Sequence, residues 1–264
     1  MKILNFLFSR SKQEQDKPIR DKLKTRKDFE RVLAEDLDIM ETTKARMDTA
    51  KNINLYMYRS LSYSYILILQ SKYSVDAKID ELRDIYIKSM HYFLQAFNKR
   101  NPIYADILNY VSLGVLLNIP DNNFRQLIDY VKQMDKQAKP SGWTPDLLLW
   151  FMLNSRMKEQ EKQKYAETLA YPRLYNGLYK AIQAPNAAAA KDALNKYLDR
   201  WYNLNSNAPW YNSHLKDNSY RGYWAWEVAA VAKIMHIDDS DLKNNQYYPY
   251  DMVHWADNET TAKE

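Results

Sequence analysis

The 264-residue chain contains no cysteine, which excludes disulfides, thiol nucleophiles and thiolate metal sites. A reducing cytoplasm is the simplest compartment for such a chain. Glycine occurs only 4 times and proline 9. So few turn residues, with valine and threonine seldom in runs, argue for helices over sheet. They also leave little material for a phosphate-cradling loop, and neither a dinucleotide fingerprint nor a GxSxG elbow is present. The four histidines, His91, His214, His236 and His254, never fall at HxxxH or HExxH spacing, so nothing supports a zinc site. No stretch approaches the roughly 18 apolar residues of a membrane span. The opening run Ile3-Leu4-Asn5-Phe6-Leu7-Phe8 is shorter than a secretory core and has no small-residue cleavage site. The expectation is a chain without catalytic residues, metal, cofactor or membrane anchor.

What is present is helix. The chain is organised around Tyr220 to Ile237, where Trp224, Val228, Val231 and Met235 form one stripe and Tyr223, Trp226, Ala230 and Ile234 another. A helix apolar on nearly every side is buried, and over this span it would be about 27 Å long. Tyr223, Trp224, Trp226, Glu227 and Ile234 are its expected core residues. Glu227 needs a tyrosine hydroxyl or an arginine there, because an unpaired buried carboxylate is costly, whereas Lys233 can lie along apolar surface and reach water.

Upstream, helical periodicity marks 19–50, 52–73, 76–98, 103–118, 124–135, 146–154, 165–182 and 187–202. Lys139-Pro140-Ser141-Gly142-Trp143-Thr144-Pro145 is the strongest punctuation. The expected architecture is all-α, a two-part multi-helix array with the buried central helix in its C-terminal half: a tail over 1–16, helical domains over 17–139 and 140–258, and a tail over 259–264. An internal echo supports two parts. Val111 to Arg125 and Ala229 to Lys243 each run from an apolar helix through Asn/His-Ile into an Asp turn.

The net charge is +5, unevenly placed. Residues 1–140 carry 24 basic and 18 acidic side chains, whereas from Asp217 onward there are 4 basic and 9 acidic. The basic excess is interleaved with acids, as in Arg20 to Asp28, and reads as a solvated face with no direct nucleic-acid binding. Asp238-Asp239-Ser240-Asp241 reads as the cap of a short helix; the alternative is a magnesium-binding cluster in a helical metal-dependent hydrolase. Tyr247, Tyr248 and Tyr250, with Asp238, Asp239, Asp241 and Asp251, form a candidate surface for a basic protein partner.

Five blocks in order carry a resemblance: Lys196-Tyr197-Leu198-Asp199-Arg200-Trp201-Tyr202, Trp210-Tyr211 with His214, Gly222-Tyr223-Trp224-Ala225-Trp226-Glu227-Val228-Ala229-Ala230-Val231-Ala232-Lys233-Ile234, Ile237-Asp238-Asp239, and Tyr247-Tyr248-Pro249-Tyr250-Asp251-Met252. They resemble the C-terminal domain of the polymorphic nuclease immunity (PoNi-like) proteins. Arg20-Asp21-Lys22-Leu23 and the Leu113 to Phe124 region are similar to that family's N-terminal domain. The resemblance implies a cytoplasmic, non-enzymatic, all-helical antitoxin. It would neutralise a cognate secreted DNase toxin by protein–protein occlusion in the producing cell, in competition of the contact-dependent or type VI secretion kind. The acidic and aromatic residues named above would then touch the toxin, and a homodimer stays open.

Overall fold

The computed structural model describes residues 18–97, 103–136 and 143–255; the expected tails over 1–16 and 259–264 lie outside them. Ten α-helices and three short 3-10 turns are the regular elements of the described residues, with a single isolated bridge between Asp146 and Thr168 in place of any strand. The helices are α1 (Arg26–Thr49), α2 (Leu55–Ser74), α3 (Ile79–Phe97), α4 (Tyr104–Leu116), α5 (Asp121–Lys136), α6 (Leu147–Asn154), α7 (Pro172–Ile182), α8 (Ala187–Leu204), α9 (Trp226–Met235) and α10 (Tyr250–His254). The fold is all-α, as the composition requires.

By its contacts the chain forms two compact units, one holding residues 18–97 and 212–223, the other 103–211 and 224–255. This division differs from a boundary at residue 140, since α4 and α5 group with the later helices. The reason lies in packing: α4 lies against α9.

In the first unit α2 packs against both α1 and α3. Thr25 opens α1 with a reciprocal capping box to Asp28, satisfying two otherwise orphan N–H groups. The core stripe of α1 is Phe29, Val32, Leu33, Asp36 and Met40, and it includes one carboxylate.

In the second unit α9 touches α4, α6, α7, α8 and α10. Val228, Ala229, Ala230 and Val231 are wholly buried, so this is the central helix, with small residues admitting close neighbours. It is shorter than its sequence pattern suggests, starting at Trp226 and not at Tyr220, about 15 Å long. Tyr220 to Ala225 are non-helical: Gly222 has φ 107°, in the left-handed region that favours glycine, and the Ala225 N–H donates to the Tyr247 carbonyl at 2.8 Å. Tyr223, Trp224 and Trp226 are buried as expected, whereas Ile234 is half-buried.

The internal echo has a structural cause. Both helices end on a left-handed residue, Asn118 with φ 44° and His236 with φ 52°. The next residue turns back in each case, Ile119 N–H to the Gly114 carbonyl at 3.3 Å and Ile237 N–H to the Ala232 carbonyl at 3.0 Å. Both isoleucines are buried. This is the Schellman closure. The Leu116 carbonyl, left over at the end of α4, accepts from Lys233 Nζ at 3.0 Å and Trp255 Nε1 at 2.9 Å. Lys233 therefore ends on a backbone carbonyl and not only in water.

Candidate functional site

The acidic and aromatic residues after α9 divide into an inward and an outward set. Asp239 is 3% exposed and accepts from the Tyr248 hydroxyl at 2.6 Å while pairing with His254 Nε2 at 2.8 Å. Tyr248 is itself buried. These two residues, expected on a contact surface, instead anchor the C-terminal turn to α10. A buried carboxylate keeps its place only when such donors satisfy it.

Asp238 and Asp241 are exposed, and Lys191 of α8 sits 3.1 Å from each. Asn195 adds a donor to Asp241 at 3.1 Å. Hydrogen bonds from Ser240, with Lys191, hold the Asp238 carboxyl down at about 2. The Asp239 carbonyl accepts the Leu242 N–H at 2.8 Å in the short Ser240–Leu242 turn; its side chain does not cap that turn, and the Ser240 N–H donates instead to Asp238 Oδ1 at 3.2 Å. Among the described residues no three carboxylate or imidazole side chains converge as a metal-ligand set. Asp251 is exposed and Tyr250 half-buried, with its ring 4.4 Å from His254 and Lys243 5.9 Å above its face. Of the seven candidate contact residues, Asp238, Asp241, Asp251, Tyr247 and Tyr250 reach solvent.

Tyr247 belongs to an aromatic ladder that its sequence position did not reveal. Its ring lies 5.5 Å from Tyr202 with 5° between planes, and Tyr202 lies 4.5 Å from Tyr211. On its other side Trp201 is 5.4 Å away, itself stacked on Trp210 at 5.3 Å. Tyr202, Trp210, Tyr211 and Tyr247 are half-buried, so the ladder forms part of the surface. Stacked rings of this kind are rigid and offer apolar area with polar edges.

The ladder rests on Glu227. The Trp201 indole N–H donates to Glu227 Oε1 at 2.6 Å, and the Tyr197 hydroxyl is directed at the same carboxyl, short of a full hydrogen bond. The partner is thus an indole as well as a tyrosine, and no arginine. Burial pushes the Glu227 carboxyl up to about 7, against its own N–H, Trp201 and Tyr197, which favour the charged form. Because the folded value lies above the ordinary 4.5, the fold binds this proton more tightly than the unfolded chain. The associated stability is present below pH 4.5 and is lost as pH rises through 7. Glu227→Gln is therefore expected to match the wild type at pH 4 and exceed it at pH 8 by about 3 kcal/mol or somewhat less. Melting temperatures of both proteins across that range test this; a difference that does not vary with pH would refute it.

In the first unit, residues 212–223 form a strap held by buried polar contacts. The Arg221 guanidinium pairs with Asp36 through Nε at 2.6 Å and Nη2 at 2.8 Å, with the two side chains 9% and 3% exposed. Tyr220 donates to Asp21 at 2.5 Å, and Asp21 also accepts from the Leu23 and Lys24 N–H groups. Ser74 Oγ donates to the Arg221 carbonyl at 2.9 Å. Arg31 grips Asn218 and the Asp217 carbonyl. Burial pushes both the Asp21 and Asp36 carboxyls up, while Tyr220 and Arg221 respectively pull them back.

This corrects the reading of Arg20 to Asp28 as a wholly solvated face. Asp21 is buried, and Arg20 bridges Asp76 at 3.1 Å while donating to the Tyr73 and Ala77 carbonyls. A signal for the Asp36 pair does exist in the sequence. Asp36 shares the helical stripe of Phe29, Leu33 and Met40, and a carboxylate on a core stripe calls for a buried cation.

Two family models match the chain: "PoNe immunity protein (PoNi), N-terminal" over residues 11–129, and "PoNe immunity proteins (PoNi), C-terminal" over residues 144–252. No curated protein matches. Among solved structures, protein PA2201 from Pseudomonas aeruginosa is similar with a TM-score of 0.70 at 19% identity, covering 93% of each chain. At that identity the likeness shows the shared fold.

Proposed function

Since the chain belongs to the PoNe immunity protein family, whose N- and C-terminal models together match most of it, we propose that it binds and neutralises a cognate secreted DNase toxin inside the cell that makes both. The family match over both parts is the observation that carries this reading. The mode of action is protein–protein occlusion, with no chemistry required of the immunity protein. A nuclease must offer phosphate a basic groove. The outward residues Asp238, Asp241 and Asp251, beside Tyr247 and Tyr250, supply negative charge next to rigid aromatic area, a combination suited to such a groove. Lys191 offsets part of that charge, so the aromatic ladder would carry much of the contact.

The hydrolase alternative fares worse. Asp239 is committed to Tyr248 and His254, and the Lys191 ammonium stands between Asp238 and Asp241, where a cation would sit.

Co-expression with its cognate nuclease toxin tests the assignment: cells are expected to survive, and the two proteins to co-purify. Death despite normal expression of both would overturn it. Combined Asp238→Lys, Asp241→Lys and Asp251→Lys is expected to weaken the complex by roughly 2 kcal/mol, or about thirtyfold in Kd. Unchanged affinity in the folded variant would remove this patch from the interface.

A further inference from the structure

Nine large apolar side chains stand exposed among the described residues, and four of them, Ile39, Ile53, Tyr56 and Tyr63, come from α1, α2 and the turn between them. Tyr56 is 76% exposed, Tyr63 64% and Ile39 51%. Scattered exposed apolar residues are ordinary, but a contiguous set marks an interaction surface. Contiguity follows from register. The Thr43 and Ser60 hydroxyls meet at 3.5 Å, on the solvent edge where the antiparallel helices touch. Ile39 lies one turn from Thr43, and Tyr63 one turn from Ser60 in the same direction; Tyr56 lies one turn the other way. A single strip thus runs along the α1–α2 seam.

The charges on this strip are arranged end to end. Glu35 precedes Ile39 by one turn and Arg46 follows it by two, all on one face of α1, about 16 Å from acid to base. Both are exposed, and among the described residues neither has an ion-pair partner. A partner with a uniformly basic surface would repel the Arg46 end. A second copy of the same strip, laid antiparallel about a twofold axis midway between the two charges, sets each Glu35 against Arg46 of the partner subunit. The same operation brings the Tyr63 rings together near the axis. An isologous interface requires this kind of self-complementarity.

We propose that the α1–α2 seam, Glu35 to Arg46 with Tyr56 and Tyr63, is the interface of an antiparallel homodimer. The surface lies in the first unit, away in sequence from the candidate toxin-contact residues, and its test needs no toxin.

Sedimentation of the purified full chain over a concentration series is expected to show a reversible dimer. Glu35→Arg and Arg46→Glu should each raise its dissociation constant about tenfold or more, and the double variant E35R/R46E should restore it to within about threefold, because the swap recreates the pairing. Unchanged circular dichroism separates lost association from lost folding. A wild-type chain that stays monomeric at hundreds of micromolar, or a dimer indifferent to either single reversal, would overturn the proposal.

Discussion

Replacing Arg221 with Met is expected to destabilise the first unit by about 3–5 kcal/mol. The substitution leaves Asp36, 2% exposed, with no counter-charge on the core stripe of α1, and it removes the bidentate bonds that hold the strap. The loss should be milder at low pH, where the abandoned carboxyl takes a proton. By contrast, the double change D36L/R221M is expected to recover most of the stability, since a buried ion pair gains little over well-packed apolar side chains of similar size while half a pair is costly. The non-additivity is the informative quantity. All 7 tryptophans of the chain fall at or after Trp143, in the second unit, so indole fluorescence does not report directly on this site. Far-UV circular dichroism and amide exchange of α1 and α2 do. Single and double variants of equal stability would show that the pair is not the strap's anchor.

Asp146→Ala is expected to be of similar size, about 3–5 kcal/mol, and to act in the second unit. Asp146 is wholly buried and serves three donors. Oδ1 accepts the Leu149 N–H at 2.7 Å as the N-cap of α6, and the Tyr104 hydroxyl at 2.8 Å; Oδ2 accepts the Ala170 N–H at 2.7 Å. Losing the cap costs about 1 kcal/mol, and each stranded buried donor roughly 1–3 kcal/mol more. Burial pushes the Asp146 carboxyl up, with the Ala170 and Leu149 N–H groups pulling it back. Asp146→Asn is expected to cost less than Ala, because it keeps the Oδ1 acceptor but places an amide N–H against the Ala170 donor. Here tryptophan fluorescence is the right probe, as Trp143 and Trp150 lie close by, both donating to Asp135. A urea midpoint unmoved by Asp146→Ala would show that the hub is dispensable.

The contrast between these two sites indicates how much was legible beforehand. The helix expected from residue 146 starts at Leu147, within a residue, but Thr144 ahead of Pro145 is the capping residue that the punctuation suggests, whereas Asp146 is the one that caps. The Arg221–Asp36 pair joins positions 185 apart, and no local pattern links them. Apolar periodicity from Tyr220 onward suggested helix, because tyrosine and tryptophan count as apolar in any stripe. Their hydroxyl and indole groups, together with Gly222, favoured a strap whose polar atoms are satisfied elsewhere. For the same reason Asp239 and Tyr248 looked like contact residues: exposure was inferred from charge, and only the fold supplies the mutual hydrogen bond that lets both turn inward.

The sequence by itself determined the helical class, the existence and rough length of most helices, the C-terminal location of the central one and the family, because these depend on composition, periodicity and the order of short blocks. Tertiary structure alone decided which acids face solvent, which pair with Lys191 or Arg221, and where the aromatic ladder forms. Those outcomes depend on the desolvation and partnering of groups far apart along the chain, a balance of large opposing energies that no local spacing encodes.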